Sequence, residues 1–288
     1  MAALFGPAGT DTEFSARGYK GTLDVPEYLS SIGLTAYEYQ CGRGVNIGLD
    51  KAEQLGKLAA GKGITLSLHA PYYISMSGVE KEKRLHSVDY ILSSAEAVNA
   101  MGGDRIVVHT GSCGKISREE ALALALDTMR LALDALDEHG LGNVHICPET
   151  MGKINQLGTL DEVMELCKLD ERLIPCIDFG HLNARTGGEL VRDKSGYEKI
   201  LDTIGNELGD HRMKHFHAHF SKIEYTEGGE KCHLTFDDTV YGPFFEPLME
   251  LVAKRGCEPT FICESAGTQA RDARAMMDCF NGFSSKNA

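Results

Sequence analysis

The apolar residues of this chain fall in short β-branched runs, each followed by a polar or glycine-rich turn and then by a stretch rich in Ala, Leu, Glu and Lys. Short apolar runs between turn signals are typical of buried strands. The strand candidates are Ala3–Phe5, Ala36–Tyr39, Ile64–Leu68, Arg105–Val108, Val144–Cys147, Ile174–Ile177, Met213–Phe216 and Thr260–Cys263. The intervening stretches predict helices over Lys81–Met101, Arg118–His139, Thr159–Leu169, Ser195–Leu208, Phe244–Arg255 and Thr268–Phe280.

The alternation of strands with helices predicts parallel pairing through right-handed crossovers. Eight such units in 288 residues favour a closed (β/α)8 barrel, the TIM barrel, over an open sheet. An open doubly wound sheet is the alternative, but no GxGxxG or GxxxxGKS/T motif follows the first strand. We expect one barrel domain over residues 1–288, with a loose C-terminal tail after about residue 281.

From the third strand onward, each strand candidate ends at or next to a histidine or a carboxylate. These residues are His69, His109, Glu149, Asp178, His217 and Glu264, with His181 three positions after Asp178. The carboxyl ends of barrel strands converge on one mouth, where the active sites of barrel enzymes lie. Histidine, aspartate and glutamate supply the nitrogen and oxygen ligands of zinc and manganese. The set therefore predicts a metal site at the mouth.

A single histidine after a strand is more often a hydrogen-bonded structural residue than a ligand, so the prediction depends on the whole set. The carboxylates carry more weight, because an unpaired buried charge is costly. Strand seven has His215, His217 and His219 on one face. His217 matches the end of the apolar run best, His215 is expected in the core, and His219 is expected to support a ligand. His233 falls in the loop after strand seven, where a surface role and a ligand role are equally open.

The composition narrows the class of protein. At 42% hydrophobic and 25% charged, the chain resembles a globular protein with an ample core. A net charge of −13 counts against a broad nucleic-acid-binding surface, although bound cations would offset acidic ligands within a site. No signal-peptide pattern and no apolar run of the ~18 residues needed to span a membrane is present. Nine scattered cysteines without a CxxC pair fit reduced thiols, so we expect a cytoplasmic protein with no membrane partner.

Several motifs resemble the endonuclease IV family of apurinic/apyrimidinic endonucleases, within the xylose-isomerase-like barrels. They are LHAPYYIS, VVHTGSCGK, CPETMGKINQLGT, CIDFGHLNAR, FHAHFSK and FICESAG. The resemblance implies hydrolysis of the phosphodiester 5′ to abasic sites in DNA, with two or three zinc ions as cofactors. Manganese or cobalt is the alternative metal. Abasic DNA is the implied partner, and we expect the protein to be a monomer.

The same resemblance implies roles for individual residues. The implied ligands, grouped by ion, are His69, His109 and Glu149; Glu149, Asp178, His217 and Glu264; and His181 and His233. Glu149 would bridge the first two ions and orient the nucleophile, so it is the expected catalytic residue. The residues expected to contact DNA are Tyr72, Tyr73 and Arg43.

Two positions depart from the family pattern. The family has an aspartate two residues before the last loop histidine, where this chain has Lys231. The candidate substitutes are Glu230, one position earlier, or Asp237 and Asp238 further on; without a substitute the third metal would be weak or absent. The family's asparagine after strand seven is replaced by His219.

Two other functions compete with the endonuclease interpretation. One is a sugar isomerase or epimerase of the same superfamily that uses a single divalent metal, and the other is a barrel that binds a ligand without turnover. The residues that a one-metal isomerase would not need as ligands are His69, His109, His181 and His233. Their joint presence favours the endonuclease interpretation.

Overall fold

The computed structural model describes residues 3–287. In this part of the chain the strands are β1 (Leu4–Pro7), β2 (Ala36–Gln40), β3 (Thr65–His69), β4 (Arg105–His109), β5 (His145–Glu149), β6 (Cys176–Asp178), β7 (His217–Phe220), β8 (Lys222–Thr226), β9 (Gly229–Leu234) and β10 (Thr260–Cys263). All but β8 and β9 form one parallel sheet in the order β1-β10-β7-β6-β5-β4-β3-β2. The main-chain nitrogen of Thr35 donates to the carbonyl of Phe5 at 3.0 Å, and that of Gly9 donates to the carbonyl of Glu38 at 2.9 Å. These bonds link β1 to β2, so the predicted (β/α)8 barrel is confirmed.

Helices cover the outside of the sheet. They are α1 (Thr12–Ala16), α2 (Val25–Ser31), α3 (Leu49–Ala60), α4 (Lys81–Ala100), α5 (Arg118–Glu138), α6 (Leu160–Cys167), α7 (Phe179–Arg185), α8 (Lys194–Leu208), α9 (Asp210–Lys214), α10 (Glu246–Arg255) and α11 (Gln269–Asn287), with a 3-10 turn at Thr22–Asp24. Capping boxes begin two of them: Ser117 accepts from the main-chain nitrogen of Glu120, and Thr159 does the same for Glu162. The predicted helices are confirmed, most of them with nearly the same bounds.

The C-terminal end differs from the expectation. Helix α11 continues to Asn287, so the loose tail expected after about residue 281 is wrong. Phe280 is buried and contacts Phe5 of β1 at 5.6 Å between ring centroids, and Phe283 also packs against the core. This apolar anchor explains why the last turns remain helical, because burial of one face stabilises a helix more than its intrinsic propensity does.

Strand β7 begins later than predicted. The candidate Met213–Phe216 is wrong, because Asp210–Lys214 forms α9 and the strand starts at His217. Arg212 of α9 donates to the carbonyl of Cys167, the last residue of α6, at 2.7 Å and so holds the two helices together. His215, which was expected in the core, is partly exposed, and its Nε2 lies 3.4 Å from Oε2 of Glu258. Because of this shift, the residue of β7 that reaches the mouth lies later in the FHAHFSK motif than predicted.

A hairpin follows β7 where a loop was expected. Strands β8 and β9 pair antiparallel, with a register shift between Glu224 and Tyr225. The main-chain nitrogen of Ile154 donates to the carbonyl of Gly228, and that of Glu230 donates to the carbonyl of Gly152, both at 3.1 Å. These bonds join the hairpin to the β5–α6 loop and make it one wall of the mouth. No helix within residues 3–287 combines the length and apolarity needed to cross a bilayer.

Candidate metal centre

The strand-end residues meet at the mouth of the barrel. His69, His109, Glu149 and Asp178 are the last residues of β3, β4, β5 and β6, and Glu264 directly follows β10. Four of these five residues line a cleft of about 280 Å³. The fifth, Asp178, is fully buried and does not line it. The convergence follows from the parallel topology, which places the carboxyl ends of all eight strands at one end of the barrel.

Glu149 lies at the centre of this cluster and is 1% exposed. Its Oε2 lies 3.3 Å from Nε2 of His69 and 3.3 Å from Nε2 of His109. Its Oε1 lies 3.1 Å from Nδ1 of His219 and 3.4 Å from Nδ1 of His181. One carboxylate therefore contacts imidazoles from four different βα units.

Within residues 3–287, five sets of three or four donor residues have ligand atoms no more than 4.8 Å apart. Three of these sets form the donor groups of the cleft: His69, His109 and Glu149; Glu149, Asp178, His219 and Glu264; and His181, Glu230 and His233. Of the other two sets, His69, His219 and Glu264 overlap the first two groups, and Cys176, His217 and His219 lie deeper in the barrel. The three donor groups contain every predicted metal ligand except His217, and they add His219 and Glu230.

His217 does not reach the second group, so its expected place there is wrong. It begins β7 and is fully buried, and its Nε2 donates to Oε2 of Glu38 at 2.9 Å. His219, two residues further along the strand, directs Nδ1 toward Glu149 and lies 3.5 Å from Oε2 of Glu264. The cause is the later start of β7, which moves the position at the mouth by one pair of residues. His217 lies deeper, beside Cys176.

In the third group Glu230 takes the place of the aspartate that the family pattern has and this chain lacks. Its carboxylate lies 3.4 Å from Nε2 of His181 and 3.8 Å from Nε2 of His233. The register shift in the hairpin accounts for this, because a bulge lets residues three positions apart face the same way. Lys231 instead pairs with Glu224 at 2.7 Å, outside the cleft.

The other two expected substitutes lie elsewhere. Asp237 pairs with Arg271 at 2.7 Å, and Asp238 accepts from the main-chain nitrogens of Val240 and Tyr241. Neither carboxylate belongs to the three donor groups.

The buried carboxylates and histidines of the cluster shift one another's pKa values. Burial by itself would raise the pKa of Glu149, but His219, His109 and His181 hold that pKa well below its usual range. Burial would lower the pKa of His69, but Glu149 raises it to about 9. Asp178 and Glu149 likewise outweigh burial and raise the pKa of His181 to about 10. Buried carboxylates that act this strongly on their neighbours need positive charge close by.

Main-chain carbonyls orient two of the histidines. Nδ1 of His69 donates to the carbonyl of Ala70 at 2.9 Å, and Nδ1 of His181 donates to the carbonyl of Thr150 at 2.9 Å. Each bond leaves the Nε2 lone pair directed at its donor group, as metal-ligating histidines require.

The hydrogen bonding of the Asp178 carboxylate indicates whether a cation fits the site. Its Oδ1 accepts from the main-chain nitrogen of His181 at 2.6 Å, but its Oδ2 is buried and has no hydrogen-bond partner within residues 3–287. A buried carboxylate oxygen without a donor is costly. Since the surrounding donors are imidazole nitrogens and carboxylate oxygens, the residues present fit a divalent cation of the zinc class.

The residues expected to contact DNA lie together at the rim. Tyr72 and Tyr73 are 47% and 51% exposed, with ring centroids 4.5 Å apart. Nε of Arg43 donates to the hydroxyl of Tyr72 at 3.0 Å, and Tyr72 lines the cleft. Together the two rings form an exposed aromatic surface beside the cleft.

Sequence reasoning missed two kinds of residue. Lys153 and Gln156 also line the cleft, and Lys153 is the one lysine or arginine among the lining residues within 3–287. The signal was present, since both lie in the polar loop directly after Glu149. Glu38 was missed as well, although a carboxylate inside the second apolar run was visible.

Comparisons with known proteins agree with the architecture. The chain is 34% identical to Uncharacterized protein MJ0133 of Methanocaldococcus jannaschii, over 96% of this chain and 97% of that protein. It is 29% identical to the Probable endonuclease 4 of Shouchella clausii, over 73% of each chain. The resemblance to endonuclease IV is therefore confirmed by whole-sequence similarity.

Solved structures share the fold. A D-tagatose 3-epimerase-like protein superposes with a TM-score of 0.72 at 18% identity, over 99% of both chains. Endonuclease IV from Thermus thermophilus gives a TM-score of 0.64 at 19% identity, over 99% of this chain and all of the other. The family model described as Xylose isomerase-like TIM barrel matches residues 26–281. The chain therefore belongs to the xylose isomerase-like TIM barrel family.

Proposed function

We propose that this chain is a metal-dependent phosphodiester hydrolase that cuts the DNA backbone 5′ to abasic sites. The observation that carries the proposal is the presence of three donor groups around one cleft, where a single-metal isomerase needs only one. The similarity to proteins named Probable endonuclease 4 supports it.

The proposed reaction is hydrolysis of one P–O bond. Divalent cations of the zinc class, when bound, supply a water of lowered pKa and neutralise charge that develops on the phosphate oxygens. Glu149 would orient the attacking water, because its two oxygens face different donor groups: Oε2 lies beside His69 and Oε1 beside His219. Lys153 attracts the phosphate into an otherwise acidic cleft. Tyr72 and Tyr73 stack against the distorted strand at the lesion, as exposed aromatics do with unstacked bases.

The acidic charge of the chain restricts how it binds DNA. With a net charge of −13, most of the surface repels phosphate. We infer that contact is confined to the rim of the mouth, where Arg43, Lys153 and the bound cations supply positive charge. Binding should therefore involve few phosphates and show a shallow dependence on salt.

The direct test is a nicking assay on a duplex oligonucleotide with one abasic site, together with the metal content of the protein. We expect two or three zinc ions per chain and a nick on the 5′ side of the lesion. Glu149→Gln should abolish cutting and leave the circular dichroism spectrum unchanged. The control is Glu224→Gln, which removes a carboxylate that pairs with Lys231 outside the cleft and should leave nicking intact.

A sugar epimerase is the second candidate, and one observation favours it. The group of Glu149, Asp178, His219 and Glu264 holds enough ligands for a single metal by itself. A protein that retains one ion, epimerises a ketose and leaves abasic DNA uncut would refute the hydrolase proposal and support the epimerase. A protein that nicks abasic DNA and retains two or more ions would exclude the epimerase.

A further inference from the structure

A second buried carboxylate lies inside the barrel beneath the donor groups. Glu38 on β2 is 0% exposed. Its Oε1 accepts from Nε2 of Gln40 at 3.1 Å, and its Oε2 accepts from the hydroxyl of Ser67 at 3.0 Å and from Nε2 of His217 at 2.9 Å. Nε2 of His219 lies 3.0 Å from Oε1. Burying a charge in a barrel core is costly, so its partners have to account for it.

Both ring nitrogens of His219 face a carboxylate. Nε2 lies 3.0 Å from Oε1 of Glu38, and Nδ1 lies 3.1 Å from Oε1 of Glu149 and 3.5 Å from Oε2 of Glu264. Nδ1 is hydrogen-bonded to Glu149, whereas the Nε2 contact is an ion-pair contact without hydrogen-bond geometry. A cation held by the second donor group would take the place of the proton on Nδ1, and the proton on Nε2 would then face Glu38. The ring therefore presents a ligand atom to the second donor group.

His219 differs in this respect from the other oriented ligands. His69 and His181 are held through Nδ1 by main-chain carbonyls and direct Nε2 at the metal groups. Within the described part of the chain, His219 makes no hydrogen bond to a main-chain carbonyl. Glu38 instead lies in ion-pair contact with Nε2, the ring nitrogen that does not face the second donor group.

We propose that Glu38 is a positioning residue of the metal centre, which holds His219 with Nδ1 directed at Glu149, Asp178 and Glu264. Ser67, Gln40 and His217 fix the carboxylate in turn. Carboxylates that orient a ligating histidine typically change metal affinity about 10–100-fold when they are removed. The inference rests on the proposed binding of metal by this group, and it is independent of whether the substrate is DNA.

The test is a titration of the full-length chain with cobalt(II), followed by visible absorption, without any nucleic acid. Glu38→Gln removes the negative charge that faces Nε2 of His219 and lets the amide NH2 turn toward that nitrogen. We expect cobalt binding at one group to weaken about 10–100-fold, while the third group, with His181 and His233, keeps its affinity. The matched control is Ser67→Ala, which removes a different partner of Glu38 and should change affinity by less than about threefold.

Each outcome bears on the inference. Wild-type cobalt affinity in Glu38→Gln overturns it, and so does an equal loss in Ser67→Ala, because that would indicate a general packing effect. If Glu38→Gln does not fold, Glu38→Asp keeps the charge at shorter reach and should bind with intermediate affinity; unchanged affinity overturns the inference. A wild-type chain that binds no cobalt refutes the proposed metal centre and this inference with it. A chain that binds cobalt but leaves abasic DNA uncut refutes only the phosphodiester reaction.

Discussion

Arg185 at the end of α7 clamps the loop that forms one side of the cleft. Its two terminal nitrogens donate to four main-chain carbonyls, those of Met151 (2.8 Å), Lys153 (2.9 Å), Ile154 (3.0 Å) and Gln156 (2.9 Å). The same loop carries the side chains of Lys153 and Gln156 into the cleft. Replacing Arg185 by Met keeps the apolar stem and removes all four bonds.

The cost follows from which carbonyls lose every donor. Arg118 also donates to the carbonyls of Ile154 and Gln156, both at 3.0 Å, so those two keep a partner. The carbonyl of Lys153 keeps the main-chain nitrogen of Gln156 at 3.0 Å, so within residues 3–287 the carbonyl of Met151 is the one left without a donor. An unpaired carbonyl costs ~1–3 kcal/mol, so Arg185→Met should cost about 2 kcal/mol. For a chain of this size that corresponds to a fall in Tm of roughly 4–8 °C.

Thermal unfolding by circular dichroism, at fixed protein and metal concentrations, measures this fall. The double variant with Arg118→Met should lose more than the sum of the single variants, since the carbonyls of Ile154 and Gln156 then lose both donors. The control is Arg255→Met, which removes one surface ion pair with Asp202 and should cost less than about 1 kcal/mol. A Tm of Arg185→Met within about 1 °C of wild type, or strict additivity in the double variant, would refute the reasoning.

Two further predictions concern barrel closure and the rim. A Cβ on Gly6 would lie 1.9 Å from the carbonyl oxygen of Ala36, so Gly6→Ala should prevent β1 from approaching β2 and yield insoluble protein; a soluble variant with wild-type Tm would contradict this. Tyr72 is largely exposed, so Tyr72→Ala should change stability by less than about 0.5 kcal/mol. The same variant should raise KM for abasic DNA in the nicking assay, and unchanged kinetics would remove Tyr72 from the proposed interface.

Much of the architecture was determined by local sequence. The apolar runs predicted the barrel because strand and helix periodicities are properties of a few consecutive residues, and residues such as Ser117 and Thr159 mark helix starts wherever the chain folds. The strand-end positions of Glu149 and Asp178 followed from the same logic. Parallel strands of similar length place their last residues at one end, whatever the details of packing.

Only the tertiary structure decided which histidine of β7 reaches the mouth. The run KHFHAHF presents a histidine at every second position, so the alternation is the same whether the strand ends at His217 or begins there. Helix α9 selects the register, because Arg212 holds it against the carbonyl of Cys167, 45 residues earlier in the chain. The partners of Glu38 likewise come from three different strands. Contacts between distant segments depend on how the barrel closes, and no short stretch of sequence contains that information.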